Sequence, residues 1–221
     1  MTDAGLPSHD REAVAEALGN DGGADRPEPT VVGVLLAGGT STRFGEANKL
    51  LADLDGEPLV RHAARTLLDA DLAAVVAVLG HEADAVERAL SDLDLRVVRN
   101  PDYGAGLSTS VGRGVEAAVE RGADAAVFLP GDMPDVDPST VRLLADAHRG
   151  GLGTALAAAH EGRRGNPVLF DRERFEPLLE LEGDVGGRPV LLGSDDAALV
   201  ETGDSGVAAD VDTTGDLRRH R

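Results

Sequence analysis

With 221 residues the chain is sized for one α/β domain, and the absence of cysteine excludes disulfides, thiolate metal sites and a cysteine nucleophile. Its 40 acidic side chains against 21 basic ones give a net charge of −19, which repels nucleic acid and anionic lipid; neither nucleic acid nor membrane is an expected partner. Aromatic residues make up only 2% of a chain that is 42% hydrophobic, so Val, Leu and Ala must build the core.

Residues 1–29 carry one short helix-like patch, 11–18, followed by NDGGADRPEPT, and read as a mobile N-terminal extension. From Thr30 to residue 221 the pattern is βα alternation. A buried strand at 31–37 (VVGVLLA) leads to a helix at 58–71 opened by Pro58, then a strand at 73–80 and a helix at 82–92. A short strand at 95–99, a helix at 108–121 and a strand at 123–132 follow. Pro138 opens a helix at 138–149, and 154–159 and 167–170 are strands. Two short helices and a C-terminal strand complete the series. Near-continuous apolar strands separated by helices predict an α/β fold, a Rossmann-like, mostly parallel sheet with helices on both faces. Ligands bind such sheets at the carboxyl ends of the strands, here after Leu36, Leu79 and Leu129.

The chain has twenty arginines and a single lysine, Lys49, at the end of the glycine-rich segment AGGTSTRFGEANK. Arginine replaces lysine freely on a surface but less readily where a compact charge must reach a bound phosphate. Gly38 and Gly39 let backbone N–H groups approach an anion, Ser41 and Thr42 add hydroxyls, and Arg43 adds charge. The segment is not a P-loop, since Leu50 follows Lys49, nor a dinucleotide fingerprint, since Gly38 and Gly39 are adjacent. Asp132 follows a buried strand in FLPGDMP and suits Mg²⁺, which takes one or two protein carboxylates. Asp210 and Asp212, two apart on an expected strand, either complete that metal site or form a solvated acidic face. Asp216 reads as an N-cap. The histidines are scattered; His81 alone stands at a strand end, beside the expected nucleotide pocket. The acid excess, the use of arginine for lysine and the absence of a charged-then-apolar leader lead to the expectation of a cytoplasmic protein, in a high-salt cytoplasm.

LLAGGTSTRFGEANKLL, NPDYGAGLSTSV, LPGDMP, RRGNPVLF, EGDVGGRPVLL and DVDTTGDL follow one another in an order that resembles the molybdenum cofactor nucleotidyltransferases, the cytidylyltransferase family most closely. The resemblance spans about residues 31–217. It implies the nucleotide-diphospho-sugar transferase type of fold for residues 30–221, and a Mg²⁺-dependent enzyme. The terminal phosphate of molybdopterin, with or without its molybdenum, would attack the α-phosphate of CTP or GTP and release pyrophosphate. By the same resemblance Arg43, Lys49 and Asp132 are catalytic, with Asp210 and Asp212 near the metal. Leu36, Ala37, Gly38, Gly39, Gly80, Gly106, Ser108 and Ser110 lie on the nucleotide side, although Ser108 serves equally as an N-cap. Arg164, Gly165, Asn166, Pro167 and Asp184 lie on the pterin side, and Arg188 is a further candidate for a locally basic cleft. Gly38 stands where the cytidylyltransferase branch usually has alanine, as in the guanylyltransferase branch, and Phe44 replaces a usual methionine; the choice of base stays open. Other readings are a sugar- or alcohol-phosphate nucleotidyltransferase and, from a different class, a cofactor-binding escort that hands its cargo to a molybdoenzyme.

Overall fold

The computed structural model describes residues 5–20, 28–40, 44 and 48–219. A two-residue strand, β1 (Ser8–His9), and helix α1 (Arg11–Asn20) precede the first long strand, β2 (Val31–Ala37). A small hairpin, β3 (Asp53–Leu54) and β4 (Glu57–Pro58), turns at Asp55-Gly56, where both residues have positive φ, 53° and 88°. That is the Asp-Gly turn whose twist matches paired strands. Then come α2 (Leu59–Leu68), β5 (Ala74–Leu79), α3 (Ala83–Leu90), β6 (Arg96–Arg99), α4 (Leu107–Val119), β7 (Ala125–Pro130) and α5 (Pro138–Arg149). Strands β8 (Ala155–His160) and β9 (Arg163–Asp171) form a second hairpin. The chain ends with α6 (Phe175–Leu179), α7 (Arg188–Gly193), β10 (Ala197–Glu201) and α8 (Thr214–Arg219).

Eight strands form one sheet in the order β1-β10-β8-β9-β7-β2-β5-β6. All its ladders are parallel except the two made by β9, with β7 and with β8. The sequence expectation of a mostly parallel, doubly covered sheet is met. Its cause is visible in the alternation along each strand. Leu35, Leu79 and Leu129 face α2, α3 and α5, whereas Val34, Val78 and Phe128 face α4 and α6, and all six are buried. Period two with both faces apolar leaves no solvated side. Phe128 and Phe170 meet edge to face at 6.1 Å, and the rest of the core is almost wholly Val, Leu and Ala.

The structure corrects the reading of the N-terminus as a solvated extension for the residues it describes there. Ser8 and His9 pair with Leu199 and Val200 in β10, Val14 is buried in the core, and the Arg11 guanidinium donates to the Thr202 carbonyl at 2.9 Å. The helix had been legible in the sequence, but the partner of its one buried face, α5, lies more than a hundred residues away.

On the surface, Arg61 in α2 grips Asp92 bidentately, at 2.6 and 2.9 Å, and holds that carboxyl down at a pKa of about 2. A carboxyl depressed by folding stabilises the native state above its unfolded value of 3.8 and loses that contribution as pH falls toward 2. A carbon-detected NMR titration of Asp92 should therefore give a midpoint near 2. The midpoint should return toward 3.8 in Arg61→Gln. An unchanged midpoint in that variant would rule out the Arg61 contact as its cause.

Candidate functional site

A cavity of about 870 Å³ opens at the carboxyl ends of β2 and β7. Lys49 stands on its floor, at the start of a 3₁₀ turn (Lys49–Leu51) capped by Asn48, whose side-chain oxygen accepts the Leu50 N–H at 3.1 Å. Leu50 is buried in the core and anchors the turn. Asp132 lies two residues beyond β7. Gly131 donates to the Leu36 carbonyl at 2.9 Å, and the Asp132 carbonyl accepts the Val211 N–H at 2.9 Å. Val211 is fully buried beside Leu54 and Leu59, so this bond delivers Asp212 to Asp132. Asp204 steadies the approach, its carboxylate taking the Asp137 and Gly206 N–H groups and the Thr140 hydroxyl at 2.8–2.9 Å.

Lys49 Nζ donates to Asp132 Oδ2 at 2.5 Å and to Asp212 Oδ1 at 2.9 Å. Burial works against the Lys49 charge, but the attraction and hydrogen bonds of Asp132 and Asp212 outweigh it and raise the pKa, so the ammonium persists through neutral pH. Two carboxylate oxygens thus converge on one point that a cation already favours, and their side chains stay 18% and 29% exposed toward the cavity. Hard oxygen donors few in number and open to phosphate and water fit Mg²⁺ or Mn²⁺. Of the three aspartates named in the sequence, the structure brings Asp132 and Asp212 together on Lys49. Asp210 is exposed at the cavity wall, and no group of three acidic or histidine side chains able to hold a metal occurs among the described residues. The segment at 209–212 is not a strand; its Val211 N–H goes instead to the Asp132 carbonyl beyond β7. Asp216 is not an N-cap either. Thr213 takes that place, and Asp216 completes a reciprocal capping box with it at 2.7 and 3.2 Å.

On the nucleotide side, Leu36, Gly38, Gly39, Gly106 and Ser110 line the cavity, while Ala37, Gly80 and Ser108 do not. Ala37 is buried in the core. Gly80 packs so tightly beneath the wall that a methyl there would meet the Gly38 carbonyl and Tyr103 at 2.6 Å. A methyl on Gly38 would lie 2.7 Å from Ser110 Oγ, which gives a steric reason for glycine where the cytidylyltransferase branch usually has alanine. Gly106, at φ 122°, precedes α4 as its N-cap, so Ser108 does not take that role; its N–H donates to the Gly183 carbonyl at 3.2 Å. Arg43, Ser41 and Thr42 lie outside the described residues.

On the opposite side the β8–β9 hairpin turns at Glu161-Gly162, whose two N–H groups are held by the Glu201 carboxylate at 2.7 and 3.0 Å. Arg164 pairs with Ala159, and Val168 pairs with Ala157, so Gly165, Asn166 and Pro167 bulge out opposite Ala158 alone. Arg164, Gly165 and Asn166 reach the cavity wall; Pro167 does not. Asp184 lines the wall too, with its carboxylate 3.4 Å from the Leu107 N–H at the N-terminus of α4, where a negative charge is favoured. Arg188 is exposed at the start of α7, away from the wall. Among the described wall residues Lys49, Arg163 and Arg164 face Asp132, Asp184, Asp210 and Asp212, three cations against four carboxylates. The expected basic cleft is therefore not basic on these residues.

Sequence reasoning overlooked Arg163, Tyr103 and Asn100. Arg163 adjoins the RGNP run and lines the wall beside Arg164. Tyr103, the sole tyrosine, lines the wall with its ring 6.0 Å from that of His81, which stays behind it. Asn100 is buried at the end of β6, and the uninterrupted run NPDYG was the available signal.

A family model for the MobA-like NTP transferase domain matches residues 33–198. The chain is 32% identical over 202 residues to a nicotine blue oxidoreductase from Paenarthrobacter nicotinovorans, covering 88% of this chain and 98% of that one. It is 34% identical over 125 residues to a "probable molybdenum cofactor guanylyltransferase" from Haloferax mediterranei, covering 55% and 56%. Rv0371c from Mycobacterium tuberculosis, solved in complex with manganese, superposes with a TM-score of 0.71 at 27% identity over 86% of this chain and 97% of that one.

Proposed function

The chain belongs to the MobA-like NTP transferase family, and from that premise we propose that it transfers a nucleoside monophosphate from CTP or GTP to the terminal phosphate of molybdopterin, with release of pyrophosphate. The observation that carries this reading is the convergence of Lys49, Asp132 and Asp212 on the floor of a cavity walled by the Gly38-Gly39 turn on one side and Arg164-Gly165-Asn166 on the other. The similarity to a molybdenum cofactor guanylyltransferase supports the pterin acceptor.

The acceptor is a phosphate monoester and already an anion, so no side chain need act as base; the work is to bring two anions into line. Asp132 and Asp212 would hold a divalent ion, Mg²⁺ by preference, which when bound neutralises charge on the transferring phosphoryl group. The carboxylates among the described wall residues, which the cations there do not outnumber, support that need, as does the manganese of the structural relative. Lys49 holds the phosphates that leave, and Arg43 is proposed to join it. Gly38 and Gly39 let the backbone close on the triphosphate. Arg164, on the cavity wall, would grip the pterin phosphate as a fork.

The test is pyrophosphate release with Mg²⁺ and molybdenum-loaded molybdopterin in high-salt buffer, comparing CTP, GTP and ATP. Release with CTP alone makes it a cytidylyltransferase, and release with GTP alone a guanylyltransferase. No release with any of the three, from folded protein, sinks the pterin reading and moves the search to sugar phosphates. The near full-length similarity to nicotine blue oxidoreductase favours a second reading, an oxidoreductase acting on that dye. Bleaching of nicotine blue by the protein with a nicotinamide hydride donor added as reductant, without pyrophosphate release, would establish it instead.

A further inference from the structure

Asn100 sits at the end of β6, 2% exposed, with every polar atom of its side chain committed. Its Oδ1 accepts the Asp102 N–H at 3.0 Å, which fixes the orientation of the amide. Both hydrogens on Nδ2 are then donated, one to Thr109 Oγ1 at 2.9 Å and one to Ser110 Oγ at 3.0 Å. The two hydroxyls must accept, and each keeps one proton to give. Thr109 gives its proton to the Gly106 carbonyl at 2.8 Å. Ser110 has no acceptor among the described residues, is 3% exposed, lines the cavity, and holds its oxygen over Gly38.

We propose that Asn100 is a positioning residue that fixes the Ser110 hydroxyl as a hydrogen-bond donor into the cavity, toward an acceptor atom on the nucleoside half of the bound triphosphate. The inference rests on the nucleotidyltransferase reading and adds to it the polarity that one wall of the site must present. A serine hydroxyl is otherwise ambivalent, able to donate or accept as a ligand requires. With one lone pair taken by the Asn100 amide, its proton is turned away from Asn100 and toward the cavity, which favours an acceptor on the ligand over a donor. A nucleoside with a donor at that position would have to use the last lone pair and leave the buried Ser110 proton without an acceptor.

Calorimetric titration of the full chain with CTP and GTP, and with inorganic tripolyphosphate as a base-free control, tests this in the presence of Mg²⁺. Ser110→Ala should weaken binding of the preferred nucleoside triphosphate about tenfold and leave tripolyphosphate unchanged. Asn100→Asp turns the donor into an acceptor and draws the Ser110 proton away from the cavity. It should weaken the nucleotide about tenfold alone and add nothing further in the Ser110→Ala background, as expected of residues acting as one unit. Thr109→Val removes the other partner of Asn100. It should lower the melting temperature without touching nucleotide affinity, whereas a purely structural role for Asn100 would make it lower both. Should Asn100→Asp fail to fold, Ser110→Ala and Thr109→Val decide. Unchanged nucleotide affinity in Ser110→Ala, or a loss in Thr109→Val equal to that in Ser110→Ala, overturns the proposal. An unaltered chain that binds no nucleoside triphosphate at all overturns the nucleotidyltransferase reading, which separates the two failures.

Discussion

Lys49→Ala should lower nucleotidyl transfer by about 10²–10³-fold, the loss typical of removing one preorganised charge from a site where charge develops. The same substitution should strengthen binding of Mn²⁺ in the absence of nucleotide. In the free protein the ammonium sits at 2.5 and 2.9 Å from the two oxygens that a divalent ion would need, so lysine and metal compete for one place. Alanine removes the competitor and leaves Asp132 and Asp212 facing each other, a repulsion that lowers the melting temperature until Mn²⁺ relieves it by mass action. Electron paramagnetic resonance of added Mn²⁺ reads the affinity, and a thermal melt with and without the ion reads the compensation. Near-normal turnover from a folded variant would remove Lys49 from the catalytic set. Unchanged Mn²⁺ affinity alongside lost turnover would leave its role with the phosphates but move the metal elsewhere.

Gly165→Ala carries the largest expected effect on stability. A methyl there would lie 1.9 Å from the Val207 carbonyl oxygen, a collision with backbone that no side-chain rotation relieves. Overpacking of this kind costs about 1–3 kcal/mol. At the steep end of that range a chain of this size loses about 6–12 °C in melting temperature. The damage should extend to function, because Val207 belongs to the turn (Ser205–Ala208) that leads into Val211 and Asp212. Activity measured well below the melting point should fall together with Mn²⁺ affinity. A variant that melts and turns over like the parent would place the Gly165 segment away from Val207 in solution.

The strands and long helices were legible because each depends on its own local period. Alternating burial writes both faces of β2, β5 and β7 into adjacent residues, and the prolines at 58 and 138 mark where helices open. The β3–β4 hairpin was equally local, with its Asp55-Gly56 signal present but overlooked. The DVDT segment was misread because acidic and apolar residues alternate there as in a half-exposed strand; its backbone is tied instead to the Asp132 carbonyl, a distant bond that no local alternation encodes. Arg164-Gly165-Asn166-Pro167 carried its motif in the sequence, but the bulge that turns it toward the cavity comes from a register shift against β8 that no local pattern encodes. The floor of the site was the least accessible. Lys49 meets carboxylates 83 and 163 residues farther along the chain, and nothing in the local composition distinguishes Asp212 from its exposed neighbour Asp210.

The two residues of β1 have an effect out of proportion to their number. Without them β10 would be the outer rail of the sheet, an apolar AALV run offering unmet N–H and C=O groups to any extended peptide that drifted by. Ser8 and His9 close that rail, the Pro7 carbonyl takes the Leu199 N–H at 2.8 Å, and the Arg11 guanidinium fills the next vacancy at Thr202. The segment acts as a selvedge, a finished border that keeps one sheet from knitting onto the sheet of another copy. A chain cut to begin at Thr30 would keep the cavity and its floor yet carry a raw edge, prone to self-association for reasons unrelated to its chemistry.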